Sequence, residues 1–309
     1  MQKAILLYNP ASGRGRAEAH VKTALSVLRS AGVEASMAPT MAAGGSAEQV
    51  KQAIADGCDT VIACGGDGTI HDLLQALVGT DVALGILPLG TANCVAHDLG
   101  LPLSPANAMR CAVKSKRRRV AVGRVQYQNF TPQTESRYFI FVVGIGVDAH
   151  LFYKLSPFAK KVLGMGAYYA KATQLWLLHK MENFAVEVQN GTEMHKHEVS
   201  QILAVRIREL GGVLRRLAPG ADLQRNDLRL VLFHTRNRFS YLGYIIRGYF
   251  RAAWNVPGIE LMHSTMAICH PPEGNAPVFV EADGELLGTL PAEITVVPDA
   301  LTILVPEKI

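Results

Sequence analysis

Gly65-Gly66-Asp67-Gly68-Thr69 is the segment of this chain best suited to chemistry. Its three glycines leave the backbone bare, so successive amide N–H groups can approach phosphate oxygens. An apolar run at residues 60–64 precedes the turn. Ile70, Leu73, Leu74, Leu77 and Val78 follow it at helical spacing. The start of that helix adds the positive end of its dipole. Asp67 repels a phosphate but suits Mg2+ or a ribose hydroxyl. The turn fits neither the G-x-G-x-x-G dinucleotide fingerprint nor the Walker A pattern. Taken alone, it reads equally well as a tight strand-to-helix turn with no ligand.

Two more turns are of the same kind. Asn9-Pro10-Ala11-Ser12-Gly13-Arg14-Gly15 follows the apolar run 4–8, and Pro88-Leu89-Gly90-Thr91-Ala92-Asn93 follows the run 83–87. In a parallel α/β sheet the loops after the strands gather on one edge, where ligands bind. Three small, polar loops on that edge favour a nucleotide site more than one would. Asn9, Ser12, Thr69, Thr91 and Asn93 supply hydrogen-bonding side chains, and Thr40 after the second strand is a further candidate. Far along the sequence, residues 278–285 read as strand, turn and strand, ending at Asp283-Gly284-Glu285. Glu285 is either the exposed residue of a plain hairpin or a general base for an attacking hydroxyl. Local sequence favours the plain hairpin.

Short apolar strands alternate with helical patterns over the first third, which predicts a parallel sheet covered on both faces. The second strand, residues 33–38, is weaker than the first. Ser46 and Gln49 have the spacing of a capping box. Near residue 120 the pattern changes to β-type segments with Asn190-Gly191 and Asp283-Gly284 as hairpin turns, interrupted by two helices near 157–180 and 240–254. The expectation is an α/β domain over residues 1–120, a mostly antiparallel β-sandwich-like domain over 121–298, and residues 299–309 packed back on the first. The basic run at 114–119 reads as a solvated face at the boundary.

The chain has 309 residues, 49% hydrophobic and 18% charged, with a formal net charge of +5. That is a folded protein, long enough for two cores. Its charge permits an anionic partner without requiring one, and no nucleic-acid partner is expected. Five cysteines without a C-x-x-C pair point away from a disulfide framework or zinc ribbon and towards the cytoplasm. No signal peptide and no membrane-spanning run is evident. His20, His71, His97 and the His195/His197 pair suggest no metal site.

In this order, N-P-x-S-G, G-G-D-G-T, P-L-G-T-x-N and a late D-G-E resemble the diacylglycerol kinase catalytic family, which includes bacterial lipid kinases and sphingosine kinases. Residues 144–149 resemble its central G-x-G-x-D-A segment, and residues 211–221 its G-G…P-x-A segment. The resemblance implies two domains with the active site in the cleft between them, and γ-phosphoryl transfer from Mg-ATP to a lipid hydroxyl. It implies that Thr40, Gly65, Gly66, Asp67, Gly68, Thr69 and Thr91 contact nucleotide, with Gly90 in the third loop, and that Glu285 is the base. Diacylglycerol, phosphatidylglycerol and sphingoid bases all offer the acceptor, presented at a membrane surface that the protein visits transiently.

The sequence departs from the family at Cys94, Ala121 and Arg225, where many members carry Asp. A guanidinium cannot ligate a cation, so the family's accessory metal site loses its ligand at Arg225, leaving Asp222 and Asp227 as substitutes. The alternatives are an NAD kinase-like enzyme, which shares G-G-D-G-T but has a T-P-T-G-S-T-A-Y-like segment absent here, and a catalytically impaired binding protein of the same fold. Candidate lipid-pocket walls are Phe152, Tyr153, Phe158, Tyr168, Tyr169 and Trp176, with the stretch 241–254. In that stretch, core packing is favoured over membrane docking. An exposed strand edge in the second domain could pair with a second copy in a homodimer.

Overall fold

The structure, a computed structural model, describes residues 1–41, 45–147, 149, 181–209, 218–250, 254–274 and 276–307. The helix expected near 157–180, the six aromatic pocket candidates, Asp148 and residues 211–217 lie outside these. The chain divides into two compact units. One holds Met1–Val122, Glu209–Gly212 and Val297–Ile309; the other holds Gly123–Arg208 and Val213–Val296.

The first unit is built on β1 (Lys3–Tyr8), β2 (Glu34–Pro39), β3 (Thr60–Gly65) and β4 (Ala83–Pro88), with α1 (Ala17–Ser30), α2 (Gly45–Ala55) and α3 (Asp67–Leu77) between them. Every residue of β3 and β4 is buried, as continuous apolar runs in a two-face-covered sheet require. The strands are parallel in the order β4-β3-β1-β2. Residues 302–303, close to the C-terminus, add a parallel pairing beside β4. Val21, Leu25 and Leu28 of α1 pack with Leu6 and Ile62 in the core. Short helices α4 (Cys94–Asp98) and α5 (Pro105–Lys114) complete the unit.

The capping box is not formed. Ser46 lies inside α2, and the Gln49 side chain accepts from Met41 N at 2.9 Å and donates to Pro39 O at 2.8 Å. Gln49 thus ties the helix to the end of β2.

The last four residues of the basic run open β5 (Lys116–Gln128) and are all exposed, as a solvated face requires. Arg119 donates to Thr80 O at 2.7 Å and to Asp299 O, and Arg117 donates to Asp81 O. These exposed guanidinium groups clip neighbouring turns of the first unit.

The second unit contains β6 (Thr134–Phe139), β7 (Val142–Gly146), β8 (Phe184–Asn190), β9 (Glu193–Val199), β10 (Gln201–Val205), β11 (Leu228–Phe233), β12 (Ile259–Ser264), β13 (Met266–Cys269) and β14 (Phe279–Ala282). The final strand, β15 (Glu285–Val305), runs for 21 residues. Antiparallel pairing links β12-β11-β10-β7-β14-β15. Further along β15, residues 292–295 pair instead with β13, which pairs with β8. One strand therefore joins both layers, with Phe184, Ile202, Leu230, Val280 and Ile294 in the core between them. A helix, α6 (Arg238–Tyr249), lies between β11 and β12, its start capped by Asn237, which accepts from Phe239 N. Among the described residues no helix is long and apolar enough to cross a membrane.

Candidate active site

In the first unit the four strands end flush. Tyr8 is level with Pro39 and Cys64, and Cys64 with Leu87. Their following loops therefore start from one edge. The sheet order reverses at β1, with β2 on one side and β3 on the other, which opens a crevice between the loops after β1 and β3.

Backbone hydrogen bonds lock these loops together. Asn9 N donates to Cys64 O at 3.1 Å, Leu89 N to Gly65 O at 2.9 Å, Gly13 N to Leu89 O at 2.9 Å and Thr40 N to Tyr8 O at 2.8 Å. The Asn9 side chain closes its own loop by accepting from Ala11 N at 2.9 Å. The Asn93 amide likewise serves its own loop: Oδ1 accepts from Gly90 N and Nδ2 donates to Gly90 O, both at 2.9 Å. Asn93 has φ +50°, a left-handed conformation that Asn tolerates. Among the expected hydrogen-bonding side chains, Ser12 and Thr40 are half-buried and Thr91 is exposed.

Two of the glycines are demanded by close approach. A Cβ on Gly90 would lie 2.4 Å from Gly66 Cα, and one on Gly65 would lie 2.1 Å from Thr69 Oγ1. The loops after β3 and β4 therefore touch backbone to backbone. Gly66 is the N-cap of α3 and brings no capping side chain. The resulting helix start is bare and suited to an anion. Asp67 stands half-buried in the first turn of α3, and its Oδ1 accepts from Val95 N at 3.4 Å. Its hard oxygens suit a Mg2+ brought in on a nucleotide. Cys94, beside Val95, is buried, and so is Ala121 in β5; both serve packing here.

Glu285 lies in the second unit as the first residue of β15, paired with Ala282 and exposed. Asp283 and Gly284 form the turn before it, with φ +51° and +88°. Asp283, read from sequence only as a turn residue, is 4% exposed and accepts three backbone hydrogen bonds at 3.0 Å, from Ile140, Phe141 and Val142. Buried Glu281 accepts from Gly284 N at 2.9 Å. These carboxylates fix the turn that presents Glu285. No local sequence signal marks Asp283 for this, because its partners lie some 140 residues away.

The loop compared with the family's accessory metal site is hydrogen-bonded by a protein cation. Arg206 is fully buried, and its guanidinium donates to Arg225 O at 2.8 Å, to Leu223 O at 3.1 Å and to Asp227 O. Burial lowers its pKa to about 10, so it stays charged at neutral pH. Asp227 is paired with Arg225 and lies 3.3 Å from His263 Nδ1; the Arg225 hydrogen bond is the main cause that holds its carboxyl below the usual range.

A further cluster was hidden by sequence spacing. His197, His234 and Glu260 place possible ligand atoms within 4.8 Å of one another at the surface. Both ring nitrogens of His234 face oxygen, Glu198 O and Glu260 Oε2, each at 3.1 Å.

A parallel α/β unit with phosphate-type loops, followed by an antiparallel β-sandwich-like unit, defines the kinase fold shared by NAD kinases and diacylglycerol kinases. The diacylglycerol kinase catalytic domain matches residues 3–125, and the YegS C-terminal NAD kinase beta sandwich-like domain matches residues 141–305. The chain belongs to the diacylglycerol kinase family. A diacylglycerol kinase of Mycobacterium tuberculosis is 29% identical over 310 residues, covering 98% of this chain and 95% of that one. One from Bacillus subtilis is 29% identical over 245 residues, covering 78% and 77%. The crystal structure of a diacylglycerol kinase from Bacillus anthracis superposes with a TM-score of 0.72 at 20% identity, covering 98% of this chain and 97% of that one. Yeast NADH kinase shares the fold at a TM-score of 0.51 and 11% identity, covering 100% and 84%.

Proposed function

We propose that this protein transfers the γ-phosphate of ATP to the hydroxyl of a membrane lipid. The observation that carries the reading is the interlocked set of loops after β1, β3 and β4, with Gly66 and Gly90 in backbone contact and a bare helix start beside them. Such a surface offers N–H groups to phosphate oxygens and leaves no room for a side chain in between. Asp67 is assigned to hold the Mg2+ of Mg-ATP, which would supply charge neutralisation on the phosphates. Thr40, Thr69 and Thr91 border the same edge and are assigned to nucleotide contact.

Phosphoryl transfer needs an acceptor oxygen stripped of its proton as the P–O bond forms. Glu285 is assigned that proton, and the reading requires its carboxylate to meet the acceptor hydroxyl in the working enzyme. Asp283 acts through it as a positioning residue.

The test is transfer of labelled γ-phosphate from Mg-ATP to diacylglycerol, phosphatidylglycerol or a sphingoid base in mixed micelles, with NAD as a parallel acceptor. A labelled lipid is expected. Labelled NADP in place of a lipid product would overturn the assignment. Glu285→Gln is expected to lower turnover about 10²- to 10⁴-fold while sparing ATP affinity. Unchanged turnover would remove the base role.

A further inference from the structure

Helix α6 is apolar on the side where a surface helix is normally polar. Its inner face is firmly held. Tyr241 stacks on Phe233 at 4.6 Å and its hydroxyl lies 2.8 Å from Ser200 Oγ. Tyr244 meets Phe233 edge-on at 5.2 Å, and the Arg247 guanidinium lies 4.6 Å over the Tyr244 ring. The outer face carries Phe239 at 82% exposure, with Leu242, Ile245, Ile246 and Tyr249 exposed behind it. Phe250 follows at 68% and Trp254 at 48%. Positions 239, 242, 246, 249 and 250 follow the helical repeat, so they form one stripe. Core packing, the favoured expectation for this stretch, therefore accounts among the described helix residues only for Tyr241, Tyr244, Arg247 and Gly248.

Exposed aromatic and aliphatic side chains held on a rigid helix mark a contact surface. The charge around the stripe identifies what it contacts. Between Asp227 and Glu260 the sequence has no acidic residue and five arginines, at 229, 236, 238, 247 and 251. Arg236 is exposed and Arg238 half-exposed at the root of the helix. An apolar stripe rich in Phe, Tyr and Trp, with Arg236 and Arg238 at its root and no acidic residue in the stretch, fits the interface of an anionic bilayer. There the rings enter the acyl boundary while arginines meet phosphates. A soluble acidic protein would match the charge but not so wide an apolar stripe. A second copy would bring arginine against arginine.

We infer that the outer face of α6, with Phe250 and Trp254, is the surface by which this protein docks on anionic phospholipid membranes. The choice of occupant rests on the lipid-kinase reading, since the acceptor resides in such a membrane. Docking itself requires no turnover.

The experiment is sedimentation of the full-length protein with phosphatidylcholine vesicles, with and without about 30% phosphatidylglycerol, as a function of salt. The wild type is expected to bind the anionic vesicles and to lose them at high salt. Phe239→Ser combined with Ile246→Ser, both on exposed positions, is expected to weaken binding about tenfold or more. Phe239→Ser alone, outside the candidate pocket stretch, should keep the wild-type rate on a short-chain diacylglycerol dissolved as monomers. In a Trp176→Phe background, Trp254 emission should shift to the blue and be quenched by brominated lipid. Absence of vesicle binding by the wild type, or equal binding by the double variant, overturns the inference. So does a dimer that the double variant converts to monomer with vesicle binding intact. Vesicle binding without kinase activity would instead leave the docking surface standing and remove the proposed reaction.

Discussion

At the scale of single residues, the D-G-E turn shows how a motif divides its work. Glu285 is exposed, whereas Asp283 is buried with three backbone N–H groups on its carboxylate. Removing that carboxylate leaves buried donors without acceptors, so Asp283→Ala should cost about 3 kcal/mol or more of stability in urea unfolding. The loop after β10 supplies a pH-dependent case. Asp227 titrates below its ordinary 3.8 because of Arg225 first, with His263 adding to it. Its unfolded form therefore takes up a proton before its folded form does, so the stability it contributes is complete above that value. This contribution disappears as pH falls through the lowered folded pKa. The stability gap between wild type and Asp227→Asn should thus be present at neutral pH and close as the pH falls below the lowered folded pKa.

At the scale of elements, the Arg206 loop shows a guanidinium in a role that a cation could fill. Its donors reach the carbonyls of Leu223, Arg225 and Asp227 from inside the unit. Excess chelator should therefore leave the melting temperature unchanged. Arg206→Met should lower stability by about 3 kcal/mol or more, because several buried carbonyls lose their partner. A drop in melting temperature on chelation would show that a bound metal supports the fold. Much at this scale was legible in the sequence. The β1, β3 and β4 runs, the Asp283-Gly284 hairpin and the helix near 240 were all visible, because apolar periodicity and turn chemistry are local. The capping box was the exception. Ser46 and Gln49 had capping-box spacing, yet Gln49 bonds to Met41 and Pro39, outside the helix. Partners from elsewhere overrode a local preference.

At the scale of the whole molecule, the proposed reaction divides labour between two units, nucleotide on the first and proton acceptor on the second. Binding of Mg-ATP should therefore slow amide hydrogen exchange at residues 9–13, 65–69 and 89–93, with smaller changes in β8 and β9. Uniform protection, or none in those loops, would place the nucleotide elsewhere. The sequence by itself determined the two-part α/β-then-β order, the family, and the three loops that share an edge, since each depends on short-range pattern and motif order. Only the tertiary structure decided that Gly66 and Gly90 touch, that Asp283 clamps residues 140–142, and that Arg206 fills the loop at 223–227. Those contacts join residues far apart in the sequence, and no local spacing encodes them. The tertiary structure also decided which face of α6 is exposed. Tyr and Phe have the same periodicity on either side of that helix, and only the position of Phe233 beneath Tyr241 and Tyr244 determines which side is buried.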